Sequence, residues 1–390
     1  MNKEFLAIFG GEPVRKTQWQ WKTTIGEEEL AAVQEVMKSG RLSVFRGGKY
    51  VQEFENKFSH YSGAKFGVAT TSGTTALHAA VAAIDIKQND EVLVPPLTFV
   101  STASVVLQQN ALPVFVDIDP RTYCMDVSDL ERKITDRTKA IMPVHIFGHP
   151  ANMSEIQRLA SKYKLHVIAD AAQAHGARIN DQPIGTYGDM NCYSFFQTKN
   201  MTTGEGGMVL TNNEDLLLKL RLRREHGSPR NAKTWYIYDE LGFNYSMTEM
   251  QAAIGMAQLA KLTKMNDQRR ANSAQYLREL SNTKLILPSE EPGYHNVYHN
   301  FPVLLPLGKE SIRQEFVEAI RAENVPADIC YPIPLYKTAL FEKNGIKANC
   351  RVAESFCERV VTLFTDPVLD NSDIATISRA VSKVAEHYLK

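Results

Sequence analysis

Cysteine is scarce in this 390-residue chain, and its pattern excludes several kinds of site. The five cysteines are odd in number and widely scattered: Cys124, Cys192, Cys330, Cys350 and Cys357. They form no closely spaced pair of the kind that holds zinc or makes a redox disulfide. The sequence therefore predicts no metal site. Scattered cysteines of this kind favour a protein of the reducing cytoplasm.

The chain also lacks a net charge and a long apolar run. Lysine and arginine number 44, and so do aspartate and glutamate, so no global field attracts nucleic acid or an anionic membrane. The apolar stretch 5–9 is too short for a signal-peptide core. Longer stretches such as 76–86 fall well below the roughly 20 residues of a bilayer span. We expect a cytoplasmic protein that binds neither nucleic acid nor membrane.

What the chain does contain is an ordinary globular balance, with 44% apolar and 23% charged residues. Its length suits two or three domains of about 150 residues each. From residue 26 to 215, helix-period segments alternate with short β-rich runs, which predicts an α/β domain with a mainly parallel sheet covered by helices. The predicted strands are 66–70, 91–94, 114–118, 140–146, 166–169, 192–196 and 207–211.

The pattern of apolar and polar residues changes after a long amphipathic stretch from residue 247 to about 280. Isolated β-rich runs there alternate with helical patterns, which predicts strands 300–305 and 360–364 and helices 311–321 and 373–388. We therefore expect an N-terminal arm over 1–25, a large α/β domain over 26–264 and a smaller α+β domain over 265–390.

The segment VATTSGTTALHAA could hold a phosphate, because a predicted strand runs through Ser72, Gly73 and Thr74 into a helix. Small residues let backbone N–H groups approach an anion, and a helix N-terminus carries partial positive charge. Serine and threonine are also ordinary helix caps. The spacing fits neither the Walker motif nor G-x-G-x-x-G, so nucleotide hydrolysis and dinucleotide binding lose their usual support.

Two charged residues follow predicted strands of the same sheet. Asp170, in HVIADAAQAHG, lies at the carboxyl edge where open α/β sheets bind ligands, although it could also cap a helix. Lys199 follows Ser194 in CYSFFQTKNMTTGEGG; a desolvated amine there could form a Schiff base, although most lysines are simply solvated. Together with residues 72–74, they suit one ligand with a phosphate, a protonated ring nitrogen and an aldehyde. Pyridoxal phosphate has all three groups.

These segments resemble the DegT/StrS family of sugar aminotransferases, pyridoxal-phosphate enzymes with the type I fold of aspartate aminotransferase. The resemblance covers nearly the whole chain and is carried by segments 54–80, 90–103, 169–177, 193–207, 225–227, 242–255 and 331–336. It implies a PLP-dependent transferase fold, with a large domain built on a mainly parallel mixed sheet and a smaller C-terminal α+β domain.

By this similarity, Lys199 would bond to the cofactor aldehyde and move a proton between cofactor and substrate carbons. The implied cofactor contacts are Asp170 at the ring nitrogen, Gln173 near the ring hydroxyl, Phe99 on the ring face, and Gly73, Thr74 and Ser194 at the phosphate. Without the resemblance, Phe99 would be taken for a core aromatic.

The resemblance also implies contacts beyond one subunit's cofactor. Asn244, otherwise a turn residue, would reach the phosphate of the neighbouring subunit, which implies a homodimer with shared active sites. Tyr331 and Tyr336, in YPIPLY, are candidate substrate contacts.

Lys199 also separates branches of the family, because the sugar 3-dehydratases carry histidine at that position. The resemblance therefore implies amino transfer from glutamate or glutamine to a cyclic keto-sugar, with pyridoxamine phosphate as the other cofactor form. The acceptor is either a nucleotide-linked keto-sugar or a cyclitol ketone such as an inosose. The second stays possible because the N-terminal segment IFGGEPVRK resembles the start of family members that aminate carbocycles. Two alternatives remain: a lysine-retaining lyase or aromatising relative, and an inactive regulatory or binding homologue.

Overall fold

The computed structural model describes residues 5–43, 48–229 and 236–390, and a mixed sheet lies at its centre. The strands are β1 Phe66–Thr70, β2 Glu91–Val94, β3 Leu112–Phe115, β4 Thr138–Ile141, β5 His166–Asp170, β6 Arg178–Ile179, β7 Gln182–Pro183, β8 Met190–Ser194, β9 Gly207–Thr211, β10 Tyr294–His295, β11 Phe301–Leu304 and β12 Val360–Leu363. Within the described residues, the central sheet has the order β1-β9-β8-β5-β4-β2-β3. Strand β9 pairs antiparallel with β1 and β8, and the pairs from β8 to β3 are parallel.

Helices cover this sheet and build the C-terminal part of the chain. They are α1 Glu27–Ser39, α2 Lys49–Tyr61, α3 Gly73–Ala83, α4 Ser101–Gln108, α5 Val127–Lys133, α6 Met153–Tyr163, α7 Glu214–Arg224, α8 Glu249–Glu279, α9 Arg313–Ala322, α10 Ala339–Lys343, α11 Arg351–Arg359 and α12 Asn371–Tyr388. No helix in the described ranges is long and apolar enough to cross a bilayer. The predicted α/β fold with a mainly parallel, helix-covered sheet is confirmed.

Most predicted strands match the structure to within a residue or two at each end, and two differ more. The prediction 114–118 corresponds to β3, which starts two residues earlier and ends at Phe115. The prediction 140–146 corresponds to β4, which ends at Ile141. Burial continues past the strand, because Met142, Val144 and Ile146 are all at most 2% exposed in the loop that follows. The apolar run therefore marks a buried loop as well as a strand.

The topology brings the carboxyl ends of β1, β2, β4, β5 and β8 to one edge of the sheet. Parallel strands end on the same side, and β1 runs in the same direction as β8 because both are antiparallel to β9. The segments after these strands therefore meet at this edge, where open α/β sheets bind ligands.

A second core forms around the antiparallel pair β11 and β12, whose register places Phe301 opposite Leu363. It also takes Leu6 from the N-terminal segment and Tyr276 from the end of α8. Earlier in the same helix, Met265 packs into the core beneath the large sheet. The predicted boundary at residue 265 thus falls inside one continuous 31-residue helix that contributes to both cores. The division into domains stays a prediction.

Candidate active site

Asp170 ends β5 and points its carboxylate into a buried polar position. Its Oδ2 accepts a hydrogen bond from Thr102 Oγ1 at 2.7 Å, and its Oδ1 accepts one from the Ala172 N–H at 3.1 Å. Thr98 Oγ1 lies 2.8 Å from Thr102 Oγ1; since Thr102 gives its proton to Asp170, Thr98 donates to Thr102. Burial raises the pKa of Asp170, while Thr102, the Ala172 N–H and the charge of Lys199 oppose the rise.

Lys199 lies in the loop after β8, close enough to Asp170 for the two charges to interact. Desolvation lowers the pKa of the Lys199 amine below its ordinary value, whereas the Asp170 carboxylate and the nearby Cys330 thiol act in the opposite sense. Burial raises the pKa of Cys330 itself to about 11. The site thus combines an amine whose pKa is lowered with a carboxyl group whose pKa is raised.

The N-terminus of α3 lies beside the end of β8. Ser72 caps the helix, accepting a hydrogen bond from the Thr75 N–H at 3.1 Å. A Cβ added at Gly73 would lie 2.6 Å from the Ser194 Cβ, so only glycine permits this approach. Thr74 Oγ1 lies 2.6 Å from Ser101 Oγ at the start of α4. Hydroxyls and helix N–H groups therefore converge where the sequence predicts a phosphate.

Phe99 lies in the segment between β2 and α4, and Gln173 lies three residues after Asp170. Phe99 is 59% exposed, which is the opposite of a core aromatic. The Thr98 to Thr102 hydrogen bond ties its segment to the Asp170 carboxylate. Gln173 is buried; its Oε1 accepts from the Phe147 N–H at 2.7 Å, and its Nε2 donates to Tyr331 Oη at 3.0 Å.

The remaining predicted residues occupy three different environments. Tyr331 joins the group through its hydrogen bond to Gln173, and burial raises its pKa. Tyr336 does not join it: the side chain is 4% exposed, and its hydroxyl donates to Glu354 Oε1 and accepts from the Cys350 N–H. The predicted contact of Tyr336 with the substrate stays a prediction. Asn244 is exposed on the segment that pairs with Glu225.

Thr102 is the site residue that sequence reasoning missed. It is 0% exposed and donates the shortest hydrogen bond that Asp170 receives. It lies 68 positions before Asp170 in the chain, in a run of small and apolar residues with no motif that points to a carboxylate. The available signal was its place three residues after Phe99, at the start of a segment that follows a sheet strand.

The described residues fit pyridoxal phosphate. A helix N-terminus with hydroxyls suits the phosphate, and the close approach of Gly73 to Ser194 leaves no side chain at that point of the helix. The buried carboxylate of Asp170 suits a protonated ring nitrogen, and the exposed ring of Phe99 suits a stacked aromatic. Lys199 supplies an amine with a lowered pKa for the aldehyde.

Comparison with known proteins agrees with this geometry. The sequence profile of the DegT/DnrJ/EryC1/StrS aminotransferase family matches residues 23–382. This chain belongs to that family. The family is PLP-dependent, and so the protein is a PLP-dependent aminotransferase of the sugar aminotransferase type.

Three relatives illustrate the family around this member. UDP-N-acetyl-3-dehydro-alpha-D-glucosamine 3-aminotransferase of Acidithiobacillus ferrooxidans is 42% identical over 86% of this chain and 89% of its own length. dTDP-3-amino-3,6-dideoxy-alpha-D-galactopyranose transaminase of Aneurinibacillus thermoaerophilus is 35% identical over 92% and 95%. The crystal structure of S. venezuelae DesV in complex with a ketimine intermediate superposes with a TM-score of 0.86, at 32% identity over 92% and 94% of the two chains.

Proposed function

We propose that this aminotransferase moves an amino group from glutamate or glutamine to the keto carbon of a nucleotide-linked keto-sugar. The observation that carries the proposal is the pairing of a desolvated amine, Lys199, with a buried carboxylate, Asp170, at one sheet edge. A nucleotide-linked acceptor is favoured over a free cyclitol ketone because two relatives that span most of this chain have UDP-linked and dTDP-linked sugars in their names.

In this proposal each residue has a distinct task. Bound pyridoxal phosphate supplies the electron sink that amino transfer needs. Asp170 holds the proton on the ring nitrogen, and the hydrogen bonds from Thr102 and the Ala172 N–H favour its ionised form against the effect of burial. Lys199 Nζ, whose pKa is lowered by desolvation, takes the proton from the α-carbon of the donor. It later returns a proton to the sugar carbon that receives nitrogen.

Other side chains bind and orient rather than transfer protons. Gly73, Thr74 and Ser194 bind the phosphate at the start of α3, which fixes one end of the cofactor. Phe99 packs on the ring face, and Gln173, held by its two hydrogen bonds, faces the ring hydroxyl.

The active enzyme in this proposal is a cytoplasmic homodimer, with Asn244 of each subunit reaching the other subunit's phosphate. The exposure of the Asn244 side chain on its own subunit supports that role, because a contact with a second subunit requires an accessible side chain.

Amino transfer is tested with purified protein loaded with pyridoxamine phosphate and offered a panel of ketones. We expect UDP-, dTDP- or GDP-linked keto-sugars to be aminated, with one glutamate or glutamine consumed per product, and free inososes to react poorly. Lys199→Ala should abolish turnover, whereas Lys139→Ala, which removes an exposed lysine of β4, should not change it. Conversion of a substrate without consumption of a donor would instead indicate a lyase or aromatising enzyme. Amination of inososes alone would exclude the nucleotide-linked acceptor.

The shared site is tested by mixing two inactive variants. Lys199→Ala and Asn244→Ala subunits, exchanged in equal amounts, should form hybrid dimers in which one site carries both substitutions and the other carries neither. We therefore expect activity to return to about a quarter of the wild-type level, since about half of the dimers are hybrids with one intact site. Full activity of Asn244→Ala alone, or no recovery after demonstrated subunit exchange, would contradict this role for Asn244.

A further inference from the structure

The residue that follows the reactive lysine is bound to two other parts of the chain. Asn200 is 2% exposed, and its side chain makes three hydrogen bonds. Its Nδ2 donates to Asn266 Oδ1 at 3.0 Å and to the Val297 carbonyl at 3.4 Å. Its Oδ1 lies 3.0 Å from His299 Nδ1, which donates to it. One buried amide therefore connects the lysine loop to α8 and to the segment 297–299.

The same network reaches the segment that carries the ring-nitrogen carboxylate. Asn266 is 5% exposed, and its Nδ2 donates to the His175 carbonyl at 2.7 Å. His175 lies in the same short segment as Asp170 and Gln173. Two asparagine side chains thus link the residue after Lys199 to the backbone segment that carries Asp170 and Gln173.

The network is built from neutral groups, as a precise positioning device next to a reactive amine requires. Burial lowers the pKa of His299 well below its ordinary value, and the nearby charge of Lys199 lowers it further. A neutral imidazole that donates from Nδ1 satisfies the Asn200 oxygen without adding a charge beside the amine. The hydrogen bonds therefore fix the position of the loop and add no charge beside Lys199. The pKa of Lys199 is set by its desolvation and by nearby groups such as Asp170.

We infer that Asn200 is a positioning residue for the amino-transfer reaction, which acts through Asn266 to hold the Lys199 amine in register with Asp170 and Gln173. The inference rests on the proposed role of Lys199. Loss of the Asn200 side chain would leave the Asn266 oxygen and the His299 N–H buried without this hydrogen-bond partner. The loop that carries Lys199 would then shift so that these groups find other partners. A displacement of about 1 Å in a reacting group lowers the rate roughly 100-fold.

The chain offers a matched control on the same helix. Asn272 is 0% exposed, and its Nδ2 donates to the carbonyls of Thr365, Asp366 and Leu369 at 3.1 to 3.4 Å. It lies six positions after Asn266 but bonds to the loop after β12 rather than to the lysine loop. Asn272→Ala should therefore destabilise the fold about as much as Asn200→Ala does, without moving Lys199.

The experiment compares wild type, Asn200→Ala, Asn266→Ala, the double variant and Asn272→Ala. Four quantities are measured: the unfolding midpoint of the apoprotein, the rate at which added pyridoxal phosphate becomes trapped by borohydride on Lys199, and both kcat and KM with the accepted keto-sugar. We expect Asn200→Ala and Asn266→Ala each to slow trapping and kcat at least about tenfold, with KM changed less than twofold. The double variant should be no slower than Asn200→Ala, because both changes break one connection. Asn272→Ala should keep wild-type trapping and kcat.

Four results would overturn the inference: wild-type trapping and kcat in Asn200→Ala, an equal loss in Asn272→Ala, a change confined to KM, or losses that multiply in the double variant. If Asn200→Ala does not fold, Asn266→Ala tests the same prediction: its trapping rate and kcat should fall, whereas those of Asn272→Ala should not. Failure of the proposed function is distinguishable, since wild type would then aminate no nucleotide-linked keto-sugar, whereas the trapping rates would still compare Asn200→Ala with Asn272→Ala.

Discussion

Removal of one hydroxyl from the Asp170 environment should weaken catalysis most at low pH. Thr102→Val keeps the shape of the side chain and deletes the 2.7 Å hydrogen bond to Asp170 Oδ2. A hydrogen bond to a charged group contributes about 1.5–3 kcal/mol, and here it favours the ionised carboxylate. If that free energy is lost from the transition state, kcat/KM falls roughly 10- to 150-fold. The Ala172 N–H and the charge of Lys199 remain to stabilise the carboxylate.

The direction of the pH effect follows from the same contacts. Burial already raises the pKa of Asp170, and Thr102 opposes that rise, so Thr102→Val raises the pKa further. The acid limb of the kcat/KM profile should therefore move to higher pH. A carboxyl group with a raised folded-state pKa makes the fold less stable as pH increases from the unfolded pKa to the folded one. The apoprotein of the variant should lose stability over a wider pH window than wild type does.

The assay is the pH dependence of kcat/KM, with denaturant unfolding of the apoprotein across the same pH range. Thr98→Val is the matched control, because Thr98 is also buried and bonds to Thr102 but does not contact Asp170. We expect the control profile to stay close to wild type. If Thr102→Val and Thr98→Val gave the same profile, the hydrogen bond from Thr102 would not control the ionisation of Asp170, and this reasoning would be refuted.

Two further predictions concern packing and the N-terminal segment. Gly73→Ala would place a Cβ 2.6 Å from the Ser194 Cβ, so it should weaken cofactor binding and cost about 1–3 kcal/mol of stability. Ser194→Gly in the same chain should restore part of the stability, and a cofactor titration of Gly73→Ala that shows no loss would contradict the close approach. Glu323 is fully buried, pairs with Lys383 and accepts the Ala7 and Val14 N–H groups. Glu323→Gln should therefore cost about 3–5 kcal/mol in denaturant unfolding and speed proteolysis of the segment before residue 15, whereas unchanged cleavage would show that the ion pair does not hold this segment.

The sheet could be predicted because its strands are buried on both faces. A strand of this kind is a short apolar run between polar turns, and β1, β2 and β9 have the bounds that the sequence indicates. Helix α4 gave no such signal. It is buried along most of its length and made of small and apolar residues, so it lacks the polar stripe that marks an amphipathic helix. Thr102 lies on this helix, which is why it escaped notice.

The candidate site likewise contains residues that the sequence indicated and residues that it did not. Asp170 and Lys199 could be singled out because charged residues at the carboxyl edge of an apolar strand are unusual, and the resemblance assigned them roles. The contact between Asn200 and Asn266 joins residues 66 positions apart, and no spacing rule relates a loop to a helix face at that distance. The motif also singles out Tyr336, but the sequence gives no sign that this tyrosine packs against Phe115 and bonds to Glu354.

The central claim is that one desolvated amine, that of Lys199, bonds to the cofactor. Holoenzyme reduced with borohydride, digested and mapped by mass spectrometry tests it directly. We expect a single pyridoxyl adduct, on the peptide that contains Lys199, and its loss in Lys199→Ala protein that still folds. An adduct on a different lysine, or no adduct in protein that binds the cofactor, would contradict it.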